Sequence, residues 1–189
     1  GPEPGVTPQV LDQLDAAGAR ATFFCIAERA QAHPALLRQI VGRGHSVQNH
    51  SFAHRHDFSL LGPRRMAIDL VHAQQVLGAL SGERPRFFRA PAGLRNPFLQ
   101  PVLARLGLTL ASWTRRGFDT RVADPAAVLA RLTRGLAAGD IVLLHDGHGA
   151  RMADGRPVIL ATLPLLLAAG QRAGLQAVTL PEAVPLPTA

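Results

Sequence analysis

The sequence contains no lysine and no tyrosine, and only 5% of its 189 residues are aromatic. All 20 basic side chains are therefore arginines, and the formal net charge is +7. The arginines are spread along the chain, whereas nucleic-acid-binding proteins usually cluster basic residues on one face beside stacking aromatic rings. We therefore expect no nucleic-acid partner. An anionic or membrane-linked substrate remains compatible with the charge.

The single cysteine, Cys25, excludes an intrachain disulfide. It lies in an apolar run, residues 21–26, which predicts a buried, inert thiol and not a nucleophile. No run of about 18 apolar residues that could span a bilayer is present. Glycine-rich phosphate loops and the G-x-G-x-x-G and G-x-S-x-G motifs are also absent, which argues against nucleotide binding and serine hydrolysis.

Short apolar runs alternate with helix-patterned segments along the chain. The predicted strands are residues 21–26, 45–48, 87–89, 108–113, 141–144 and 175–179. The predicted helices are residues 8 to about 18 (with Thr7 as N-cap and Gly18 at the end), 34 to about 42 or 44, 63–80, 97–106, 125–136 and 157 to about 172, and each begins at a proline. This alternation predicts an α/β protein with a parallel sheet or barrel. No repeat or linker interrupts it, so we expect one domain over residues 1–189.

Polar residues follow several of these strands, where parallel α/β folds usually place their chemistry. They are His50 and His54, Arg89, Asp119, and His145 with Asp146.

His50 and His54 come directly after a predicted strand. If the segment forms a helical turn, both imidazoles lie on one face and can bind one metal ion. A third ligand could come from His56 or Asp57 in the same loop. Two ordinary surface histidines are the alternative interpretation.

Two further segments contain candidate catalytic groups. Arg89 could pair with a carboxylate and lower its pKa, or be an ordinary surface arginine. His145 ends an apolar run, a position suited to a general acid, and Asp119 is a candidate to orient it. Trp113 could line a substrate pocket or belong to the core.

Together these segments resemble the motifs of the polysaccharide deacetylases of carbohydrate esterase family 4. Residues 44–54 (Gly-His-Ser-Val-Gln-Asn-His-Ser-Phe-Ala-His) resemble the metal-binding H-S/T-x-x-H motif with its lead-in. Residues 89–93 (Arg-Ala-Pro-Ala-Gly) resemble the R-x-P-x-G motif, and residues 143–145 (Leu-Leu-His) resemble the L-x-H motif. Residues 113–119 fall where the weaker fourth motif lies.

The resemblance implies a distorted (β/α) barrel that hydrolyses an N-acetyl group from an amino sugar with a divalent metal, zinc in most members. It assigns His50 and His54 as metal ligands beside an aspartate. It also assigns His145 as the general acid, Asp119 as its support and Arg89 as the partner of an aspartate base. The implied substrate-binding residues are Pro91, Gly93, Trp113 and Leu143.

The family's first motif, T-F-D-D-G-P, ends a strand and supplies both aspartates. This chain begins Gly1-Pro2-Glu3-Pro4, so Gly1 stands where the glycine of that motif is expected. We therefore expect an N-terminally truncated chain that lacks the first strand and is catalytically weak. The aromatic residue often found in the third motif is replaced by Ala92.

Two alternatives remain open. One is removal of another acyl group, such as formyl, from a lipid-linked amino sugar. The other is a carbohydrate-binding barrel without catalytic activity. The resemblance leaves the compartment open between the bacterial cytoplasm and the cell envelope.

Overall fold

The computed structural model describes residues 1–185, in which helices alternate with short parallel strands. The helices are α1 (Thr7–Ala16), α2 (Ala27–Ala32), α3 (Pro34–Gly42), α4 (Pro63–Ser81), α5 (Leu99–Leu106), α6 (Pro125–Thr133), α7 (Val158–Arg172) and α8 (Leu180–Ala183). The strands are β1 (Thr22–Cys25), β2 (Ser46–Asn49), β3 (Phe87–Phe88), β4 (Thr109–Leu110), β5 (Arg115–Arg116) and β6 (Val142–Leu143). The predicted α/β class with parallel strands is confirmed.

The chain forms two compact units. The first comprises residues 1–2, 22–112 and the described residues after 183, and it contains a parallel sheet in the order β1-β2-β3-β4. One of its apolar clusters is formed by side chains from α4, β3, α5 and their flanking loops: Phe58, Met66, Leu70, Phe88, Ala90, Leu99, Val102, Leu103 and Leu108. Cys25 is 1% exposed, as the apolar run around it predicts.

Helix α4 shows how local sequence sets an element of this unit. Pro63 occupies the first turn, where its missing N–H costs nothing. Gly82 ends the helix in a left-handed conformation with φ of 77°, and its N–H donates to the carbonyl of Gly78. The buried residues recur at helical spacing along one face: Met66, Leu70, Ala73, Gln74 and Leu77.

The second unit comprises residues 3–21 and 113–183. Strands β5 and β6 pair in parallel, with Arg116 opposite Leu143. Helices α6 and α7 supply an apolar cluster made of Val128, Leu132, Val158 and Leu166. Asp124 caps α6, since its carboxylate accepts a hydrogen bond from the backbone N–H of Ala126 at 3.0 Å.

Several sequence predictions need correction. Residues 175–179 form no strand, because most of this segment is exposed and lacks a strand ladder in the part of the chain that the structure describes. The predicted strand 108–113 ends early at β4, and the following β5 was missed. Thr7 is the first helical residue of α1, and the N-cap is Val6.

The strands of residues 1–185 make two separate sheets, of four and two strands, and do not close into one barrel. In the same part of the chain, no helix is both long and apolar enough to cross a membrane. A single domain over residues 1–189 stays a prediction.

Candidate functional site

His50 lies at the carboxyl end of β2, between two neighbouring strands of the first unit. Its backbone N–H donates to the carbonyl of Cys25 at 3.1 Å, and the N–H of Arg89 donates to the carbonyl of Asn49 at 3.0 Å. These bonds continue the parallel ladder past the ends of β1 and β3. The strand pairing therefore fixes the backbone of His50 at the edge of the sheet where α/β proteins bind ligands.

The imidazole of His50 has a defined tautomer. Its Nδ1 lies 2.8 Å from the carbonyl oxygen of Arg89, and a carbonyl oxygen only accepts, so Nδ1 is the donor. The lone pair is thus on Nε2. Burial lowers the pKa of His50 to about 3, although the bond to Arg89 acts in the opposite direction. The neutral ring with a free lone pair is the form that binds a metal.

The His54 ring lies beside that of His50, with ring centroids 4.7 Å apart and planes at 69°. The helical turn considered from the sequence is not what brings them together. Ser51 and His54 have φ of 67° and 49°, in the left-handed region, where a non-glycine residue costs about 1–3 kcal/mol. The Ser51 hydroxyl accepts a hydrogen bond from the His54 N–H at 3.0 Å, which stabilises this irregular loop.

Asp57 and His56 are the residues of the following loop that the sequence offered as a third metal ligand. Asp57 is instead held by Arg55, whose Nε and Nη2 donate to its two carboxylate oxygens at 2.8 and 2.7 Å. Within residues 1–185, no group of three or more His, Cys, Asp or Glu side chains could hold a metal ion. Two adjacent imidazoles, one in a fixed tautomer, nevertheless fit a divalent metal, since imidazole is a common zinc ligand.

Arg89 contributes to this site through its backbone as well as its side chain. The guanidinium donates to the carbonyl of Ser112 at 3.0 Å and lies 4.1 Å from the ring centroid of Phe24. Burial lowers the pKa of Arg89 to about 10. The residues that follow, Pro91–Gly93, form a short 3-10 turn in which Pro91 is buried and Ala92 is left-handed, with φ of 54°.

The second unit brings Asp119 and His145 together after β5 and β6. The fully buried Asp119 carboxylate accepts two hydrogen bonds from His145, one from the backbone N–H at 2.7 Å and one from Nδ1–H at 2.9 Å. Parallel pairing of the two strands explains the meeting, because both residues follow the carboxyl ends of neighbouring strands. One carboxylate therefore fixes both the backbone and the tautomer of His145 and leaves Nε2 for chemistry.

The turn after His145 is held by a residue that the sequence prediction had used only as a helix cap. The buried Thr7 hydroxyl donates to the Asp146 carboxylate at 2.6 Å and accepts from the Glu3 N–H at 2.7 Å. A threonine at the start of a helix is explained by capping, so nothing in the sequence indicated that Thr7 bonds to Asp146.

Two predicted substrate-binding residues of this unit have different surroundings. Trp113 is half-buried, and the guanidinium carbon of Arg116 lies 5.4 Å from its ring centroid. The same guanidinium carbon lies 4.7 Å from the ring centroid of Phe118. Leu143 is buried in β6, at 5% exposure.

A family model described as polysaccharide deacetylase matches residues 1–111. A chitooligosaccharide deacetylase from Bradyrhizobium sp. (strain ANU 289) is 31% identical over 189 residues, covering 96% of this chain and 86% of that protein. A peptidoglycan-N-acetylglucosamine deacetylase from Bacillus cereus (strain ATCC 14579) is 30% identical, covering 96% and 83%.

The structure is similar to that of a family 4 carbohydrate esterase from Streptomyces lividans, solved in complex with acetate. The TM-score is 0.83 at 31% identity, covering 94% of this chain and 86% of the esterase. This similarity shows that the two proteins share a fold. Together with the family model and the two relatives, it establishes that the chain belongs to the polysaccharide deacetylase family.

Proposed function

We propose that this chain is a hydrolase that removes N-acetyl groups from an amino-sugar polymer or glycoconjugate, using a divalent metal bound by His50 and His54. The observation behind the proposal is the pair of adjacent imidazoles, one of them in the tautomer that leaves Nε2 to a metal. Zinc is the metal we propose, because it binds imidazole nitrogen readily and has no redox chemistry.

The names of the two relatives suggest the substrates to test. Chitooligosaccharides and N-acetylglucosamine-containing peptidoglycan both carry the N-acetyl group that the proposed reaction removes. If peptidoglycan is the natural substrate, this chain would act at the bacterial cell envelope.

A divalent metal supplies Lewis-acid polarisation of the amide carbonyl. We propose that His145 donates a proton from Nε2 to the leaving amine, and that Asp119 compensates the charge of the protonated ring. Arg89 would hold a carboxylate base in its ionised form. The proposed contacts to the sugar are made by Pro91, Gly93, Trp113 and Leu143.

The family resemblance assigns two further roles to a pair of aspartates: one is the base and the other is the third metal ligand. Gly1 lies beside the end of β1, where the carbonyl of Cys25 accepts a hydrogen bond from the His50 N–H at 3.1 Å. The Gly1 carbonyl accepts a hydrogen bond from the Ile26 N–H at 3.0 Å, at the end of β1. Residues joined ahead of Gly1 would therefore begin close to His50.

The first experiment compares the 189-residue chain with a version that has a Thr-Phe-Asp-Asp segment joined ahead of Gly1. Acetate release is measured from chitooligosaccharides and from peptidoglycan. We expect the longer version to release acetate, a chelator to abolish the release and added zinc to restore it, while the shorter chain is much less active. Full chelator-sensitive activity of the shorter chain would show that its base and third ligand lie elsewhere.

A second experiment tests the metal ligands directly by zinc titration in a calorimeter. The double variant His50→Ala, His54→Ala should lose zinc binding. The matched control, His33→Ala with His56→Ala, removes two exposed histidines and should bind as the unchanged chain does. Equal binding by all three proteins would contradict the assignment of His50 and His54.

A further inference from the structure

Two buried amide side chains connect α4 to the loop that contains the paired histidines. Asn49 is fully buried at the end of β2, and Gln74 is 8% exposed on the apolar face of α4. The Asn49 Nδ2 donates to Gln74 Oε1 at 2.9 Å and to the carbonyl of Leu70 at 3.3 Å. The Gln74 Nε2 donates to the carbonyl of Pro85 at 2.9 Å. The two carbonyl acceptors fix which end of each amide is the donor.

The side-chain oxygen of Asn49 extends this hydrogen-bond series toward His54. Asn49 Oδ1 accepts from the Ser51 N–H at 2.8 Å, and the Ser51 hydroxyl accepts from the His54 N–H at 3.0 Å. Ser51 and His54 are the two left-handed residues of the loop. Hydrogen bonds therefore connect Gln74 to Asn49, Asn49 to Ser51 and Ser51 to His54. The last two are accepted from the backbone N–H groups of Ser51 and His54, so they hold the backbone of the loop.

Helix α4 also holds the loop at a second point. The Asp69 carboxylate accepts from the Phe52 N–H at 3.0 Å, and the ring of Phe52 stacks on His72 with centroids 4.0 Å apart. The loop is thus attached to one helix on both sides of Ser51.

We propose that Gln74 is a positioning residue for the metal site: through Asn49 and Ser51 it holds His54 where it can share an ion with His50. This inference rests on the metal-binding role proposed for the two histidines. A leucine at position 74 would suit the apolar neighbours Leu70 and Leu77 on the same helix face. The glutamine found at this position is explained by the buried Asn49, whose side-chain amide needs a hydrogen-bond partner.

The chain offers a matched control in Gln48, another buried amide of the same sheet, at 4% exposure. Its Oε1 accepts from the N–H groups of Arg86 and Phe87 at 2.8 and 2.7 Å. Its Nε2 donates to the Ser46 hydroxyl at 2.7 Å. These bonds support the start of β3 and do not lead to the loop of residues 51–54.

The test compares Gln74→Leu and Gln48→Leu in the full chain, with zinc titration and backbone amide hydrogen exchange as readouts. Gln74→Leu should weaken zinc binding about 10–100-fold, the usual effect of removing an outer partner of a metal ligand. In the metal-free chain it should also speed exchange at the His54 amide. Gln48→Leu should lose comparable stability without either effect, and Gln74→Glu, which keeps an oxygen facing Asn49, should recover part of the affinity.

A further variant, Ser51→Ala, removes only the last link and leaves α4 untouched, so it applies even if Gln74→Leu fails to fold. It should weaken zinc binding and speed exchange at His54. Unchanged affinity and exchange in Gln74→Leu or Ser51→Ala would overturn this inference while the unchanged chain still binds zinc. Equal losses in Gln48→Leu would overturn it as well. Absence of zinc binding by the unchanged chain would instead contradict the proposed function.

Discussion

Two histidines of this chain, His50 and His145, each donate Nδ1–H to an oxygen, but the acceptors differ in charge. His50 donates to the neutral carbonyl of Arg89, and His145 donates to the carboxylate of Asp119. A carboxylate compensates the positive charge of an imidazolium, whereas a carbonyl oxygen fixes a tautomer at a smaller electrostatic effect. The acceptors therefore suit His50 to neutral metal ligation and His145 to proton transfer.

Asp119→Asn tests the role of that carboxylate. The two N–H groups of His145 bond to different oxygens of the Asp119 carboxylate. Asparagine replaces one of these oxygens with an NH2 group, which only donates, so one of the two N–H groups loses its acceptor. In the chain with the joined Thr-Phe-Asp-Asp segment, we expect kcat to fall about 10²–10⁴-fold, as for loss of a positioned general acid. Zinc affinity should stay unchanged.

The tautomer of His145 gives a readout that does not depend on activity. Long-range ¹H–¹⁵N NMR spectra of the imidazole should show Nδ1–H in the unchanged chain and a mixture of tautomers in Asp119→Asn. The control is Asp154→Asn, which changes an exposed carboxylate paired with Arg156 in the same unit. Equal kcat and an unchanged tautomer in Asp119→Asn would contradict the orienting role.

The segment from β5 to Asp119 depends on close packing against α6. A Cβ added at Gly117 would lie 2.6 Å from Val128 Cγ1 and 3.2 Å from Leu132 Cγ. Both leucine and valine belong to the buried cluster of this unit, so they have little room to move. The absence of a side chain at position 117 is what allows the strand end to approach the helix.

Gly117→Ala should therefore lower the free energy of unfolding by about 1–3 kcal/mol, the usual cost of overpacking. The measurement is urea denaturation followed by circular dichroism. Gly5→Ala is the control, because a Cβ at this exposed glycine meets nothing within 4 Å. Its effect should stay within about 0.5 kcal/mol. A Gly117→Ala variant as stable as the control would show that the contact relaxes freely.

An ion pair fixes β5 to the connection between α6 and β6. Asp140 accepts from Arg115 Nε at 2.6 Å, from the Ala137 N–H at 2.8 Å and from the Thr114 hydroxyl at 2.7 Å. Arg115 also donates to the carbonyls of Arg134 and Gly135. The hydrogen bond from Arg115 is the main cause that lowers the pKa of Asp140 to about 2.

The lowered pKa gives a pH dependence of defined sign. A carboxylate whose folded pKa is depressed stabilises the fold fully above its unfolded pKa, about 3.9, and loses this effect as the pH falls toward 2. Asp140→Asn should therefore be less stable than the unchanged chain at pH 7 in urea denaturation, and the difference should shrink below pH 4. A difference that stays constant between pH 7 and pH 3 would contradict this assignment.

Sequence periodicity predicted the long elements well and the short ones poorly. The helix predicted from Pro63 to Leu80 is Pro63–Ser81 in the structure, because proline, an apolar face and glycine all indicate the same boundaries. Strands of two residues, such as β5, are too short to show any period. Residues 175–179 are a short, mostly apolar run, but such a run forms a strand only beside a neighbour. In the structure the Arg20 N–H donates to the Ala177 carbonyl at 3.1 Å, and the segment is part of neither sheet.

The candidate site shows the same division. Positions after predicted strands pointed to His50, His54, Asp119 and His145. The structure brings the two members of each pair together, His54 beside His50 and Asp119 beside His145. The same reasoning missed Gln74, because its partner Asn49 lies on another element and their meeting depends on the packing of α4 against β2. The one sequence feature that marks Gln74 is that a polar residue stands among the apolar residues of this helix face.

The chain passes between its two compact units four times, after residues 2, 21, 112 and 183. Each unit therefore contains segments that are far apart in sequence. Independent domains are usually joined by few crossings through exposed linkers. This connectivity favours the prediction that residues 1–189 behave as one domain.

The one tryptophan and the one cysteine provide a test, since Trp113 belongs to the second unit and Cys25 to the first. If the chain is one domain, urea unfolding followed by Trp113 fluorescence and by pulsed thiol labelling of the buried Cys25 should give the same midpoint. Gly117→Ala, although its substitution lies in the second unit, should shift both midpoints equally. As a control for labelling, a Cys25→Ala, Leu60→Cys variant places the thiol at a position that is 84% exposed and should react at every urea concentration. Separate midpoints, or a shift confined to Trp113, would show that the two units unfold as independent domains.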